Sequence, residues 1–125
     1  MKTVAIISKP AKPELATVIP ELGGWLRKHG YEIVIDPETA LYHSKYPVVP
    51  RSEIAAKKPE FVIVLGGDGT LLAAARVVAK SSIPILAVNL GSLGFLTEVP
   101  LGELYETLEA VHRNGSTRES RALLD

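Results

Sequence analysis

Residues 61–65, Phe-Val-Ile-Val-Leu, run directly into Gly66, Gly67, Asp68, Gly69 and Thr70, and then into a helix-forming stretch over 71–79. A short β-branched run without polar alternation is the pattern of a strand covered on both faces. Three glycines in the next five residues predict a sharp turn, so strand, glycine turn and helix follow in that order. Residues 4–7 (Val-Ala-Ile-Ile) and 83–88 (Ile-Pro-Ile-Leu-Ala-Val) are runs of the same kind, with Pro84 tolerated near a strand start. Residues 31–35 supply another strand candidate, closed by Asp36 and Pro37.

Helical periodicity fills the gaps between these strands. Leu15, Val18, Ile19, Leu22 and Leu26 recur at helical spacing before Gly30, and Pro20 with Gly23 and Gly24 is expected to kink or weaken that helix. Leu101, Leu104, Tyr105, Leu108 and Val111 mark one face of a last helix, with Gly115 beyond its end. Residues 36–59 carry Tyr42, His43, Lys45, Tyr46 and prolines at 47, 50 and 59. They read as a solvated connector with a few residues packed down and a short helical piece near 52–57. Strands alternating with helices imply right-handed crossovers and a three-layer, Rossmann-like, mostly parallel α/β sheet.

Charge and composition narrow the partners. Fourteen basic and fourteen acidic residues leave a formal net charge of zero, so no global field draws the chain to nucleic acid or anionic lipid. No apolar run approaches the roughly 20 residues that span a bilayer, and the first apolar run is too short for a signal peptide. Neither nucleic acid nor membrane is expected as a partner, and the expected location is cytoplasmic. Without cysteine there is no disulfide, thiolate metal site or cysteine nucleophile. His29, His43 and His112 form no ligand-spaced pair, and His29 and His112, each after a helical run, are expected to be solvent-exposed.

In an open parallel sheet, ligands gather at the carboxyl ends of the strands. That edge is expected to present Lys9, the turn of residues 66–70 and the loop beginning at Asn89. Glycines 66, 67 and 69 permit positive φ and close backbone approach, and the helix start behind them offers N–H groups to phosphate oxygens. Asp68 is the informative residue: a carboxylate beside phosphate repels it unless the carboxylate takes a proton, accepts a hydroxyl hydrogen bond or binds a metal. The plain alternative is that Asp68 or Thr70 caps the helix. A P-loop fails for want of a lysine between Gly69 and Thr70, and a dinucleotide fingerprint fails at Leu72 and at Ala87, Val88 and Asn89, where an acid is due.

Gly66-Gly67-Asp68-Gly69-Thr70-Leu71-Leu72, then Ala74-Ala75-Arg76, then Asn89-Leu90-Gly91-Ser92-Leu93-Gly94-Phe95-Leu96-Thr97-Glu98 together resemble the N-terminal domain of NAD kinases. The first motif alone also resembles diacylglycerol and sphingosine kinases and, more loosely, 6-phosphofructokinases; the second selects NAD kinase. The resemblance implies an α/β nucleotide-binding domain over residues 1–116, with 117–125 starting the link to a β-rich C-terminal domain that this sequence does not include. It implies transfer of a phosphoryl group from ATP or polyphosphate to the adenosine ribose 2′-hydroxyl of NAD, giving NADP. Asp68 would be the base, and Gly69 would contact NAD beside it. Gly66 and Gly67 would leave room for phosphates, Thr70 would belong to the same turn, and Leu93, Phe95 and Leu96 would wall the adenosine.

Arg76 and Asn89 are further nucleotide-binding candidates, although an arginine on a helix also suits a solvated face and an asparagine at a strand end also suits a turn. Lys9 is a candidate for the donor phosphate. A divalent cation, expected to be Mg²⁺, would accompany the donor, held by phosphate oxygens and water because no dedicated cage is visible. A homo-oligomer is expected at full length, and the 125-residue chain alone is expected to bind weakly or be inactive. Rival readings are a lipid kinase domain, disfavoured by the loop after Val88, and a noncatalytic nucleotide-binding module, which predicts that Asp68→Asn changes nothing.

Overall fold

The computed structural model describes residues 2–90, 99–114 and 123–124. Strands β1 (Lys2–Ser8), β2 (Tyr31–Ile35), β3 (Phe61–Gly66), β4 (Ile85–Asn89) and β5 (Val99–Pro100) form one sheet in the order β2-β1-β3-β4-β5. All four junctions are parallel. The short β6 (Leu123–Leu124) runs antiparallel to the start of β4, beyond the reach of β5. Helices α1 (Leu15–Lys28), α2 (Pro37–Ala40), α3 (Asp68–Val78) and α4 (Leu104–Asn114) complete the chain, with two 3-10 turns over residues 51–57 and one over 101–103.

The period of two along each strand divides the core. Val4, Ile6, Ile33, Ile35, Ile63 and Leu65 face one layer, built from Leu15, Ile19, Leu22 and Leu26 of α1 and Leu104, Leu108 and Val111 of α4. Ala5, Ile7, Val62, Val64, Ile85 and Ala87 face the other, closed by Leu71, Ala74 and Val78 of α3 with Val49 and Ile54 of the connector. Because both faces are covered, β1, β3 and β4 need no polar residue on either side, which is why their sequences read as unbroken apolar runs. The expected three-layer parallel α/β architecture is present.

Several local expectations change. Pro20 sits within an uninterrupted α1; the carbonyl it deprives of a partner belongs to Ala16, which is exposed, so water can serve it. Gly23 is buried, and a Cβ there would collide with the Tyr46 hydroxyl, so this glycine admits a tyrosine from the connector rather than weakening the helix. Pro84 lies just before β4, its carbonyl accepting from Val62 N–H at 2.9 Å. Helix α3 begins at Asp68, three residues before the apolar run that announced it. No helix among the described residues is long and apolar enough to cross a membrane.

Candidate functional site

The order β1-β3-β4 brings the carboxyl ends of three strands together. Ser8 pairs with Leu65, and Gly66 with Asn89. The ladder continues one step into each loop, Lys9 N–H donating to Leu65 O at 2.8 Å and Leu90 N–H to Gly66 O at 3.2 Å. Lys9, the glycine turn and the start of the loop after β4 therefore share one edge, as the topology rule predicts.

Within the turn the glycines act differently from expectation. None of Gly66, Gly67 and Gly69 has a positive φ; among the described glycines only Gly30 does. What the site needs at Gly66 is the missing side chain: a Cβ there would stand 2.7 Å from Thr70 Oγ1 and 3.1 Å from Lys9 Cβ. Among the described residues nothing lies within 4 Å of a Cβ at either Gly67 or Gly69. They leave a gap that an approaching ligand can enter against bare backbone.

Gly67, in an extended conformation, is the N-cap of α3, so neither Asp68 nor Thr70 stands at the N-cap position. Asp68 is the first residue of the helix. The N–H groups of the first turn carry the positive end of the helix dipole toward the strand edge. Asp68 is half-buried and its Oδ1 is shut off from water. A carboxylate at a helix start, on the strand-end edge, can take a proton from a hydroxyl that reaches it.

Asn89 ends β4 beside Gly66 and is 8% exposed, a burial that argues against a solvated turn role. Arg76 is exposed on the last turn of α3. Eight residues beyond Asp68, it lies roughly 12 Å along the helix, so the fold does not bring it to the turn. Leu93, Phe95 and Leu96 lie outside the described residues.

The connector contributes groups that sequence reading missed. Asp36, wholly buried at the end of β2, accepts from Thr39 N–H at 3.0 Å, from the Thr39 hydroxyl, and from Arg51 Nε at 2.8 Å. Ser8 Oγ lies 2.7 Å from Thr39 Oγ1, and Arg51 Nη2 donates to Ser8 O at 3.2 Å. The available signal was Asp36-Pro37-Glu38-Thr39: an aspartate N-cap, proline at the first helical position and a polar residue at the third.

At the opposite, amino-terminal edge a second polar cluster forms. Trp25 stacks on His29 with centroids 3.7 Å apart, and His112 meets His29 edge-on at 5.1 Å. His29 Nδ1–H donates to Trp25 O at 2.8 Å, leaving Nε2 3.6 Å from Glu109 Oε1, while Tyr31 Oη lies 3.0 Å from His112 Nδ1. His29 is therefore partly enclosed rather than solvated, whereas His112 is exposed as expected. A cavity of about 150 Å³ adjoins them. Among the described residues no group of three or more His, Cys, Asp or Glu side chains is arranged to hold a metal ion.

A parallel sheet covered by helices on both faces, with a glycine turn, a helix N-terminus and a carboxylate at one strand-end edge, defines a three-layer α/β domain whose ligand edge is the carboxyl ends of its strands. Residues 4–116 match the family described as ATP-NAD kinase N-terminal domain, and the chain belongs to that family. It is 60% identical over 124 residues to a protein of Koribacter versatilis (strain Ellin345) named NAD kinase, and 59% identical over 124 residues to one of that name from Acidobacterium capsulatum. In each case the match covers 99% of this chain and 44% of the relative, so the chain spans less than half the length of these curated relatives. The crystal structure of yeast NADH kinase complexed with NADH shares the fold, with a TM-score of 0.76 at 23% identity over 90% of this chain and 38% of that one.

Proposed function

We propose that the protein carrying this chain is an NAD kinase, transferring a terminal phosphoryl group from ATP, or from polyphosphate, to the adenosine ribose 2′-hydroxyl of NAD to give NADP. The observation that carries this reading is Asp68 at the first position of α3, on the edge shared by β1, β3 and β4, with one carboxylate oxygen sealed from water. The relatives named NAD kinase supply the acceptor and the product.

In the proposed reaction the 2′-hydroxyl oxygen forms a bond to the γ-phosphorus, the bond from that phosphorus to the β,γ-bridging oxygen breaks, and ADP leaves. Asp68 accepts the hydroxyl proton. Gly67 and Gly69 admit the ligands against the backbone, and the N–H groups of the first turn of α3 face negative charge. Gly66, Thr70 and Asn89 shape the turn, and Lys9 faces the donor phosphates. Arg76 stays in the proposal as an outlying contact only, and Leu93, Phe95 and Leu96 as the adenosine wall. The divalent cation enters as part of the metal–nucleotide substrate, on phosphate oxygens and water. Catalysis then rests on positioning and electrostatics rather than on a covalent intermediate.

The test is NADP formation by the full-length protein from NAD, ATP and Mg²⁺, beside Asp68→Asn. A general base is worth roughly 10²- to 10⁴-fold in rate, and the folded variant is expected to lose that much kcat. A folded wild type that makes no NADP from either donor rejects the reading. We also place residues 1–116 as the nucleotide-binding domain, the enzyme in the cytoplasm, and the full-length protein as a homo-oligomer, the last checked by light scattering.

A further inference from the structure

Four side chains outside the glycine turn converge on the end of β1. Arg51 Nη2 holds Ser8 O, Thr39 Oγ1 reaches both Ser8 Oγ and Ile6 O, and Asp36 ties Thr39 to Arg51. One step further, Tyr42 Oη donates to Lys9 O at 2.5 Å and accepts from Lys12 N–H at 3.0 Å. Tyr42 thus staples both ends of the segment that contains Ala11, whose φ of 58° is left-handed for a residue with a Cβ. That conformation is unfavourable for a residue with a Cβ and persists only where its surroundings impose it.

We propose that this network, the wholly buried Asp36 and Thr39 with the partly exposed Arg51 and Tyr42, is a positioning frame for the phosphoryl donor: it presets the Ser8–Lys12 segment so that the donor phosphates meet Lys9 and the glycine turn at once. The proposal rests on the kinase reading above. Three observations carry it. The segment lies against the turn, Lys9 Cβ being 3.1 Å from where a Gly66 Cβ would stand. Arg51 is neutralised by the wholly buried Asp36 at 2.8 Å, so its charge serves the frame while an Nη2–H grips the strand end at Ser8 O. Lys9 and Lys12, by contrast, enter no ion pair among the described residues, which leaves two cations on a fixed loop. Asp36 is wholly buried and Arg51 partly so, and a pair drawn out of water is a weak source of stability compared with apolar packing of the same volume, so its placement at the ligand edge, rather than in the layers, points to orientation as its use. A triphosphate carries more charge than the diphosphate of a dinucleotide, and the two lysines favour the donor side.

The experiment measures NADP formation by the full-length protein, varying ATP at saturating NAD and NAD at saturating ATP, for wild type, Arg51→Ala, Arg51→Lys and Tyr42→Phe, with thermal melts in parallel. Loss of one or two loop hydrogen bonds is expected to raise the KM for ATP roughly fivefold to tenfold, the equivalent of about 1 to 1.4 kcal/mol. The KM for NAD is expected to stay within about twofold, and Arg51→Lys to recover part of the loss. If Arg51→Ala does not fold, Tyr42→Phe, which removes a single oxygen, decides. Folded variants that keep the wild-type KM for ATP, or that raise the KM for NAD as much, overturn the frame while the kinase reading stands. A wild type that makes no NADP overturns both.

Discussion

At Gly66 there is no room for even a methyl group, whereas one residue later there is nothing but room. The two positions separate the architectural demand of the turn from the demand of a ligand. Gly66→Ala forces a Cβ against Thr70, on α3, and against Lys9, whose N–H is held by Leu65 O, so a loss of about 1–3 kcal/mol in unfolding free energy is expected. Gly67→Ala keeps an extended backbone that alanine adopts freely, so its stability is expected to stay within about 1 kcal/mol of wild type, on either side. Its kinase activity is nonetheless expected to fall, because the new methyl occupies the gap through which phosphate would approach. Chemical denaturation and NADP assays on the same two variants check both halves. Equal stability losses would reject the division of labour.

Helices α1 and α4 meet on one face of the sheet through Trp25, Tyr105, His29 and His112. Tyr105 on α4 is pushed up to about 12 by burial first, then by the charge of Glu21 on α1 and a hydrogen bond to it. Tyr31 is also raised, by burial and by Glu60. In the unfolded chain both phenols ionise near 10, while in the fold they hold their protons longer. The folded state therefore binds more protons above pH 10, and stability is lost as pH rises from about 10 to about 12. The melting temperature is expected to be insensitive to these two phenols below pH 9 and to fall steeply above 10, with Tyr105→Phe reducing that fall; an equal fall in the variant rejects the assignment. The pairing itself was hidden in the sequence. The spacing of Leu104, Tyr105, Leu108 and Val111 announces an amphipathic helix, but nothing local to it says that Tyr31 and His112, 81 residues apart, share a hydrogen bond.

For the molecule as a whole, what could be read in advance was what is encoded locally. Strands β1, β3 and β4 betray themselves because burial on both faces removes polar residues from their central positions, and the turn of residues 66–70 because its chemistry occupies consecutive positions. The Asp36–Arg51 frame draws on Ser8, Thr39 and Tyr42, which meet only after the chain has closed loops of about 30 residues. Patterning therefore showed Asp36 as a turn and Arg51 as part of a connector. The same topology orders the stability of the parts. β1 and β3 are flanked by strands on both sides and sealed by helices above and below, with Ile6 and Ile63 wholly buried. β2 is an edge whose outer side, among the described residues, makes backbone hydrogen bonds only at Ile35, with Pro47 and Val49. Local openings expose an edge before a centre, so the amides of Ile6, Ile63 and Val64 are expected to exchange only by global unfolding, while those of Ile33 and Val34 exchange through smaller openings. In denaturant-dependent hydrogen exchange the central amides should converge on the global unfolding free energy with its full slope, and the β2 amides should lie below it. Ile63→Ala is expected to cost about 2–5 kcal/mol and to lower the protection of the β1 and β3 amides together. If β2 proves as protected as β3, the sheet opens as one unit.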